Sequence, residues 1–562
     1  MKHSWFTKVM ALSVAYTMCF ATASPLWAGG DKDKKKGNEF GDTATPIKHL
    51  VIIFGENISF DHYFGTYPKA ENPAGEPEFE ARPGTPTVNG FSTALLDRNP
   101  NALNTANGTG ATNPFRLDRT QALTNSQSHA YTAEQNALHM GLLDVYPVST
   151  GKAGPPPNAP PAQVTTKGLN MGYFDGNTVT AMWHYAQHFA LNDNSFGTSF
   201  GPSTPGVINL VSGQTNGIAK NVPSTATGNE VSGGDGDLTL IGDIDPAGDI
   251  CSSSTQVQMS SRNVGDMLSS AGVTWGSFMG GFDLTVTNPN GTTGCHRSTV
   301  SPVISAFQGT ATAVTDYVPH HSFLQYYSST ANPSHARPAS IAEIGNSGPA
   351  NHEYDTNDFF AAVNAGHFPA VSFLKAQAYQ DAHPGNSDPL DEQAFVVGVI
   401  NFLEGTPYWK DTAVVILYDD SDGWYDHQMG PIVNQSSSTA DTLTGANSCG
   451  NGTNTALPGV DVTPGGNNPL NAHAQGRCGY AIRQPLLVIS PWARENFVDH
   501  TLTDQTSVLR FIEDNWLSGE RIGAGSFDNI AGTIENMFDF TNCRGEDSKL
   551  FLDPTTGERV KH

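Results

Sequence analysis

Positive charge is scarce in this chain, which carries 29 Lys and Arg against 54 Asp and Glu, a formal net charge of −25. Such a surface disfavours nucleic acid and repels anionic membranes at long range. Long apolar runs are also missing beyond the first thirty residues, so no later segment reaches the eighteen or more apolar residues of a membrane span. Cysteine is sparse too, with six in 562 residues, and internal repeats are absent. Charged residues make up 15% and hydrophobic ones 38%, which excludes a disordered chain and leaves a globular one.

The N-terminus, "MKHSWFTKVMALSVAYTMCFATASPLWAGG", has a basic start at Lys2 and Lys8, a short apolar core, and small residues at Ala21, Ala23 and Ala28. This is the layout of a secretory signal peptide over 1–28, so an exported, periplasmic or secreted protein without stable membrane insertion is expected. Removing that segment takes away two lysines and no acids, moving the charge from −25 to −27. Five cysteines remain, enough for two bridges with one over. Cys251 with Cys295 and Cys449 with Cys478 are neighbours in sequence and the expected pairs, with Cys543 left out. An oxidising compartment agrees with both readings.

Residues 29–45 are polar and Gly-rich, a flexible lead-in. A catalytic domain is expected over 46–540, with insertions near 215–300 and 434–470, a Pro-rich loop over 151–163, and a tail over 541–562. Three runs, "IKHLVIIFGEN", "TAVVILYDD" and "RQPLLVISP", are Ile/Val/Leu-rich and read as fully buried strands of the parallel type. Between them lie amphipathic helical patterns at 391–405 and 507–516. Buried strands alternating with helices predict an α/β fold, a central and mostly parallel sheet sandwiched by helices, with long loop insertions.

In such a sheet the carboxyl ends of the strands open into the ligand crevice. "IIFGEN" delivers Glu56 and Asn57 there, and "VILYDD" delivers Asp419 and Asp420. Carboxylates crowded in a low-dielectric cleft repel unless a cation neutralises them, and an oxygen-only set suits a hard divalent ion. Acids after a strand also serve as ordinary turn residues and caps. In "GPSTPGVINLVSGQ", Ser203 and Thr204 precede Pro205, so a hydroxyl is expected at a helix N-cap, where unsatisfied N–H groups favour a phosphate. Histidines at 129, 320, 321, 383 and 427 can hold a phosphoryl group or protonate a leaving oxygen, whereas His62, His184 and His335 read as structural.

The stretches "HLVIIFGENISFDHYFGTYP", "GPSTPGVINLVSGQ", "HHSFLQYY", "DAHPGNSDPLDEQ" and "YDDSDGWYDH" together resemble the bacterial phosphoesterase family of secreted phospholipases C and an acid phosphatase branch, over about residues 47–516. The resemblance implies an alkaline-phosphatase-like fold and one divalent metal ion of unspecified identity. It implies that Glu56, Asn57, Ser203, Asp419 and Asp420 bind the metal and that Ser203 is the nucleophile, with Thr204 as the alternative. It further implies that His129, His320, His321 and His383 line the phosphate pocket, that His129, His321 and His383 take part in catalysis, and that Asp426 and His427 orient the ligands from behind.

Family phospholipases commonly carry Thr after "GP" and Asp-Glu where this chain has Asp419-Asp420, so those two features resemble the phosphatase branch. The retained "GP…P" frame resembles the phospholipases. The expected substrate is a phosphorylated small molecule cleaved through a phosphoseryl intermediate, or alternatively a phospholipid head group. An exported binding protein on the same scaffold is the reading from another class, and the sulfatase pattern C/S-x-P-x-R is absent.

Overall fold

The computed structural model describes residues 43–154, 162–222, 228–253, 255–302, 313–443, 448–450 and 474–560. The expected leader, most of the lead-in, and parts of the Pro-rich loop and of the 434–470 insertion lie outside them.

Eight strands form the central sheet: β1 (His49–Gly55), β2 (Ala190–Asn192), β3 (Trp275–Met279), β4 (Glu353–Asp355), β5 (Val371–Lys375), β6 (Thr412–Tyr418), β7 (Leu486–Ile489) and β8 (Phe497–Asp499), in the order β4-β3-β5-β1-β6-β7-β2-β8. All pairings are parallel except those of β7, which runs against both β6 and β2. The run "RQPLLVISP", expected to be parallel, is therefore the reversed strand. A short Leu/Val run is equally at home in either direction, because burial on both faces fixes the composition and not the polarity.

Every residue of β1 and β6 is buried, so both faces of the sheet are covered. Helices α1 (Tyr131–Leu138), α2 (Thr180–His188), α3 (Ser203–Ser212), α4 (Val264–Ala271), α5 (Thr356–Asn364), α6 (Pro389–Glu404) and α7 (Thr506–Trp516) complete the α/β architecture. The predicted helices at 391–405 and 507–516 are α6 and α7. Asp388 caps α6, its Oδ1 accepting from the N–H groups of Leu390 and Asp391.

Residues 215–300 hold small β pairs, 218–222 with 256–259 and 230–232 with 238–240. They also supply α4 and β3, which belong to the central architecture rather than to an elaboration. The bridges are Cys251–Cys295 and Cys449–Cys478, and Cys543 lies in neither. Among the described residues no helix is long and apolar enough to cross a membrane. Near the C-terminus, Leu550 and Leu552 are buried, and Asn401 of α6 donates to the Leu552 carbonyl at 2.8 Å.

Candidate active site

Strands β1 and β6 pair in register from His49 with Thr412 to Gly55 with Tyr418, so the chain leaves both at the same level of the sheet. That register brings Glu56-Asn57 beside Asp419-Asp420, across more than 360 residues. The Asn57 N–H donates to Asp419 Oδ1 at 2.9 Å, and the Ile58 N–H donates to the Asp420 carbonyl at 2.9 Å. Asn57 holds this place with a left-handed backbone, φ 66°, a conformation Asn tolerates better than most residues.

Helix α3 points its first residue into the same crevice. Ser203 donates through Oγ to Glu56 Oε2 at 2.8 Å and lies 3.3 Å from Asp420 Oδ2. The expected cap is corrected here: Pro202 holds the N-cap position without a side-chain bond, and Ser203 opens the helix itself. Thr204 turns away, its hydroxyl and its N–H both donating to Asp243 Oδ1 at 3.0 Å. The geometry thus presents Ser203, and not Thr204, to the carboxylates.

Close approach of α3 to the end of β6 depends on Gly206. A Cβ there would sit 2.4 Å from the Asp419 carbonyl oxygen, with the Asp419 carbonyl carbon and Cα at 2.7 and 2.8 Å. Alanine gains about 1 kcal/mol in helix propensity over glycine, but a clash with three backbone atoms cannot be relieved by a rotamer change. Gly206→Ala is expected to lower stability by a net ~1–3 kcal/mol and to displace Ser203, read as a lower Tm together with lost turnover. A native Tm and native turnover would show that the helix has room to move.

The histidines complete the ring. His321 Nδ1 lies 3.1 Å from Glu56 Oε1 and 3.5 Å from Asp381 Oδ2. His129 Nδ1 meets Asp422 Oδ1 at 2.8 Å, and His383 Nδ1 donates to the Pro384 carbonyl at 2.8 Å. Ring centroids of His129 and His321 lie 6.2 and 6.1 Å from that of His383, and His320 stands 4.6 Å from His321. Nδ1 of His129 and of His383 is engaged by an oxygen, which leaves Nε2 of each to face a ligand. Burial opposes charge on His129, but Asp420 and Asp422 outweigh it and raise its pKa well above the usual value. Burial, with His320 and Lys375 nearby, lowers that of His321 well below it.

Asp426 and His427 are placed elsewhere, in a buried knot behind the loop that follows β1. His427 Nδ1 lies 2.6 Å from Asp61 Oδ2, and the buried Arg483 reaches Asp61 Oδ1 at 2.9 Å and Asp426 at 3.1 and 3.2 Å. Their hydrogen bonds go to this knot rather than to the strand-end carboxylates, so any effect on those ligands passes through the loop backbone. Of the residues read as structural, His62 stacks on Trp424 with centroids 3.9 Å apart, and His335 on Phe282 at the same distance.

Sequence reading missed Lys375, Asp381 and Asp422. Lys375, at the end of β5, forms an ion pair with Glu56 and lies 3.6 Å from Asp419 Oδ2. Asp422 fixes His129 and accepts from Asn57 Nδ2 at 3.0 Å. Its presence in the acidic burst after β6 was the available signal.

Among the described residues the buried Asn57 Oδ1 has no hydrogen-bond partner, and Glu56 Oε1 and Asp419 Oδ2, also without one, are met only at ion-pair distance, by Lys375 and, for Glu56, by His321. Burial, reinforced by Glu56, pushes the Asp419 carboxyl up to about 8. An unpartnered amide oxygen beside crowded, buried acids fits a hard divalent cation. Glu56, His321 and Asp381 also offer ligand atoms within 4.8 Å of one another.

The model of the phosphoesterase family matches residues 47–517 of this sequence. The chain belongs to the phosphoesterase family. It is a hydrolase acting on phosphoric ester bonds. Over 512 residues this phosphoesterase is 24% identical to phospholipase C A of Mycobacterium tuberculosis, covering 88% of this chain and 78% of that protein. With phospholipase C B of the same organism the identity is 23%, covering 83% and 73%. With a non-hemolytic phospholipase C of Pseudomonas aeruginosa it is 27% over 206 residues, covering 35% and 27%. A solved structure from Vibrio parahaemolyticus, described as in the alkaline phosphatase superfamily, covers 77% of this chain and 80% of that one at 9% identity, with a TM-score of 0.26.

Proposed function

We propose that this phosphoesterase is an exported, metal-dependent phosphomonoesterase that works through a phosphoseryl intermediate on Ser203. The observation that carries the reading is the Ser203 hydroxyl at a helix start, bonded to Glu56 and 3.3 Å from Asp420, with His321 Nδ1 3.1 Å from the other oxygen of Glu56. Glu56, Asn57, Ser203, Asp419 and Asp420 would hold the ion. When bound, it supplies charge neutralisation at the phosphoryl oxygens and favours the ionised serine.

Ser203 Oγ attacks phosphorus, passing its proton to the carboxylate it already touches, as the bond from phosphorus to the leaving oxygen breaks. Burial lowers the pKa of His383, so it takes up a proton together with the anionic substrate and then gives it from Nε2 to the leaving oxygen, its Nδ1 being held by the Pro384 carbonyl. Water then attacks the phosphoserine and gives its proton to the now neutral His383, while Ser203 recovers its proton from the carboxylate. His129, whose charge Asp420 and Asp422 favour, directs a donor at the phosphate oxygens, with His320 and His321 lining the pocket. Four neighbouring imidazoles beside the carboxylate that holds Ser203 suit a doubly charged terminal phosphate.

The second reading, a phospholipase C, is favoured by the names of the relatives at 23–24% identity. Side-by-side kinetics on p-nitrophenyl phosphate and p-nitrophenyl phosphorylcholine separate the two. The monoester is expected to win by tenfold or more in kcat/KM, and a reversed ratio would transfer the reading to the phospholipase. No turnover of either ester by metal-loaded protein would leave a binding protein on this scaffold. Export is supported by the leader pattern and by two disulfides, and an exported product whose mass retains residues 1–28 would refute leader removal.

A further inference from the structure

The steps above give no work to Lys375, yet its side chain is 1% exposed and sits among the acids of the site. Its ammonium pairs with Glu56 Oε1 and lies 3.6 Å from Asp419 Oδ2, two of the carboxylates proposed to hold the ion. The backbone leaves the amine little freedom: Lys375 closes β5, its carbonyl accepts from the Gly280 N–H at 2.9 Å, and its Nζ lies 5.0 Å from the centroid of the Phe54 ring. Removing an ammonium from water costs heavily unless anions compensate it, which ties Lys375 to ionised partners.

Glu56, Asp419 and Asp420 carry three formal negative charges, matched by one divalent ion together with one ammonium. We infer that Lys375 takes the place a second cation would fill. It limits the cluster to one divalent ion, binds the shared carboxylates as a positioning residue, and competes with that ion, so that it is held more loosely than the acids alone would hold it. This rests on the metal-dependent reading above. An ammonium and a divalent ion that share carboxylates repel even at an effective dielectric of about 20, so a tenfold net effect on affinity is expected.

The test uses the full mature chain, stripped of metal and titrated with Mn2+ and Zn2+ in turn by calorimetry, with elemental analysis of the saturated protein. Wild type is expected to bind one ion per chain. Lys375→Met is expected to bind it at least tenfold more tightly while turning over p-nitrophenyl phosphate at least a hundredfold more slowly. A purely structural lysine would instead give weaker binding and a lower Tm. Lys375→Arg should restore wild-type affinity and part of the rate. Two ions per wild-type chain, or Lys375→Met with unchanged or weaker affinity at a near-native Tm, would overturn the inference. Should Lys375→Met fail to fold, the wild-type stoichiometry and Lys375→Arg still decide it, since two ions, or an arginine variant binding tenfold more tightly, contradict it. Wild type that binds neither ion would sink the metal-dependent reading itself, whereas one ion per chain with an unaltered Lys375→Met sinks the lysine's role alone.

Discussion

Ser203→Ala lowers the turnover of p-nitrophenyl phosphate by on the order of 10⁴-fold or more, the scale seen when a nucleophile is removed from a site that acts as a unit. The fold survives, because alanine is at home in the first turn of α3 and no cap is lost: the Ser203 hydroxyl donates to Glu56, stands 3.3 Å from Asp420, and does not cap the helix. A stability change within about 1 kcal/mol is expected, since one net hydrogen bond is at stake. Thr204→Ala serves as the contrast. Its hydroxyl bonds Asp243, so a loss of tenfold or less is expected there, together with some loosening of the helix start. Acid-quenched wild type incubated with labelled substrate should carry the label on Ser203. Near-native rates in Ser203→Ala, or label on Thr204, would exchange the two roles.

Asp419→Asn is expected to lose metal without losing its shape. Asp419 Oδ1 accepts from the N–H groups of Asn57 and Asp420 at 2.9 and 2.7 Å, and an amide oxygen can keep both bonds. What the substitution removes is the negative charge and the second oxygen, Oδ2, which has no hydrogen bond. Removing a partner that merely orients a ligand costs about 10–100-fold in metal affinity, so removing a ligand should cost at least ~100-fold. Elemental analysis after dialysis checks this, with a matching fall in turnover that added metal partly reverses. Unchanged metal content would take Asp419 off the ligand list.

Much of this site was legible because chemistry was concentrated at two strand ends. An apolar run that stops in Glu-Asn, and another that stops in Asp-Asp, can be read without coordinates once the sheet is taken as mostly parallel. The histidines followed from resemblance rather than from pattern, since each sits in a loop whose path no periodicity fixes. Lys375 was invisible for a physical reason: a lysine that ends the strand "VSFLK" looks like an ordinary solvated charge, and only the place of β5 inside the sheet, between β3 and β1, buries it. The helix start departs from the expectation that Pro205 marks the first helical position. The observed helix begins two residues earlier, and Asp243 holds Thr204 in a helical place that the residue before a proline usually avoids. Strand β3 escaped because "WGSFM" is short, interrupted by glycine, and set in a Gly/Ser/Thr-rich stretch.

The knot of Asp61, Asp426, His427 and Arg483 has a bearing on how this molecule is prepared for work. Arg483, just ahead of β7, is wholly enclosed, and through its guanidinium the segment after β1 is buckled to the segment after β6. Those are the same segments whose first residues face the crevice, and the buckle uses none of them. A chain emptied by a chelator should therefore keep its open hand in the same pose, and refilling it should be limited by the arrival of ions rather than by any rebuilding of the protein around them.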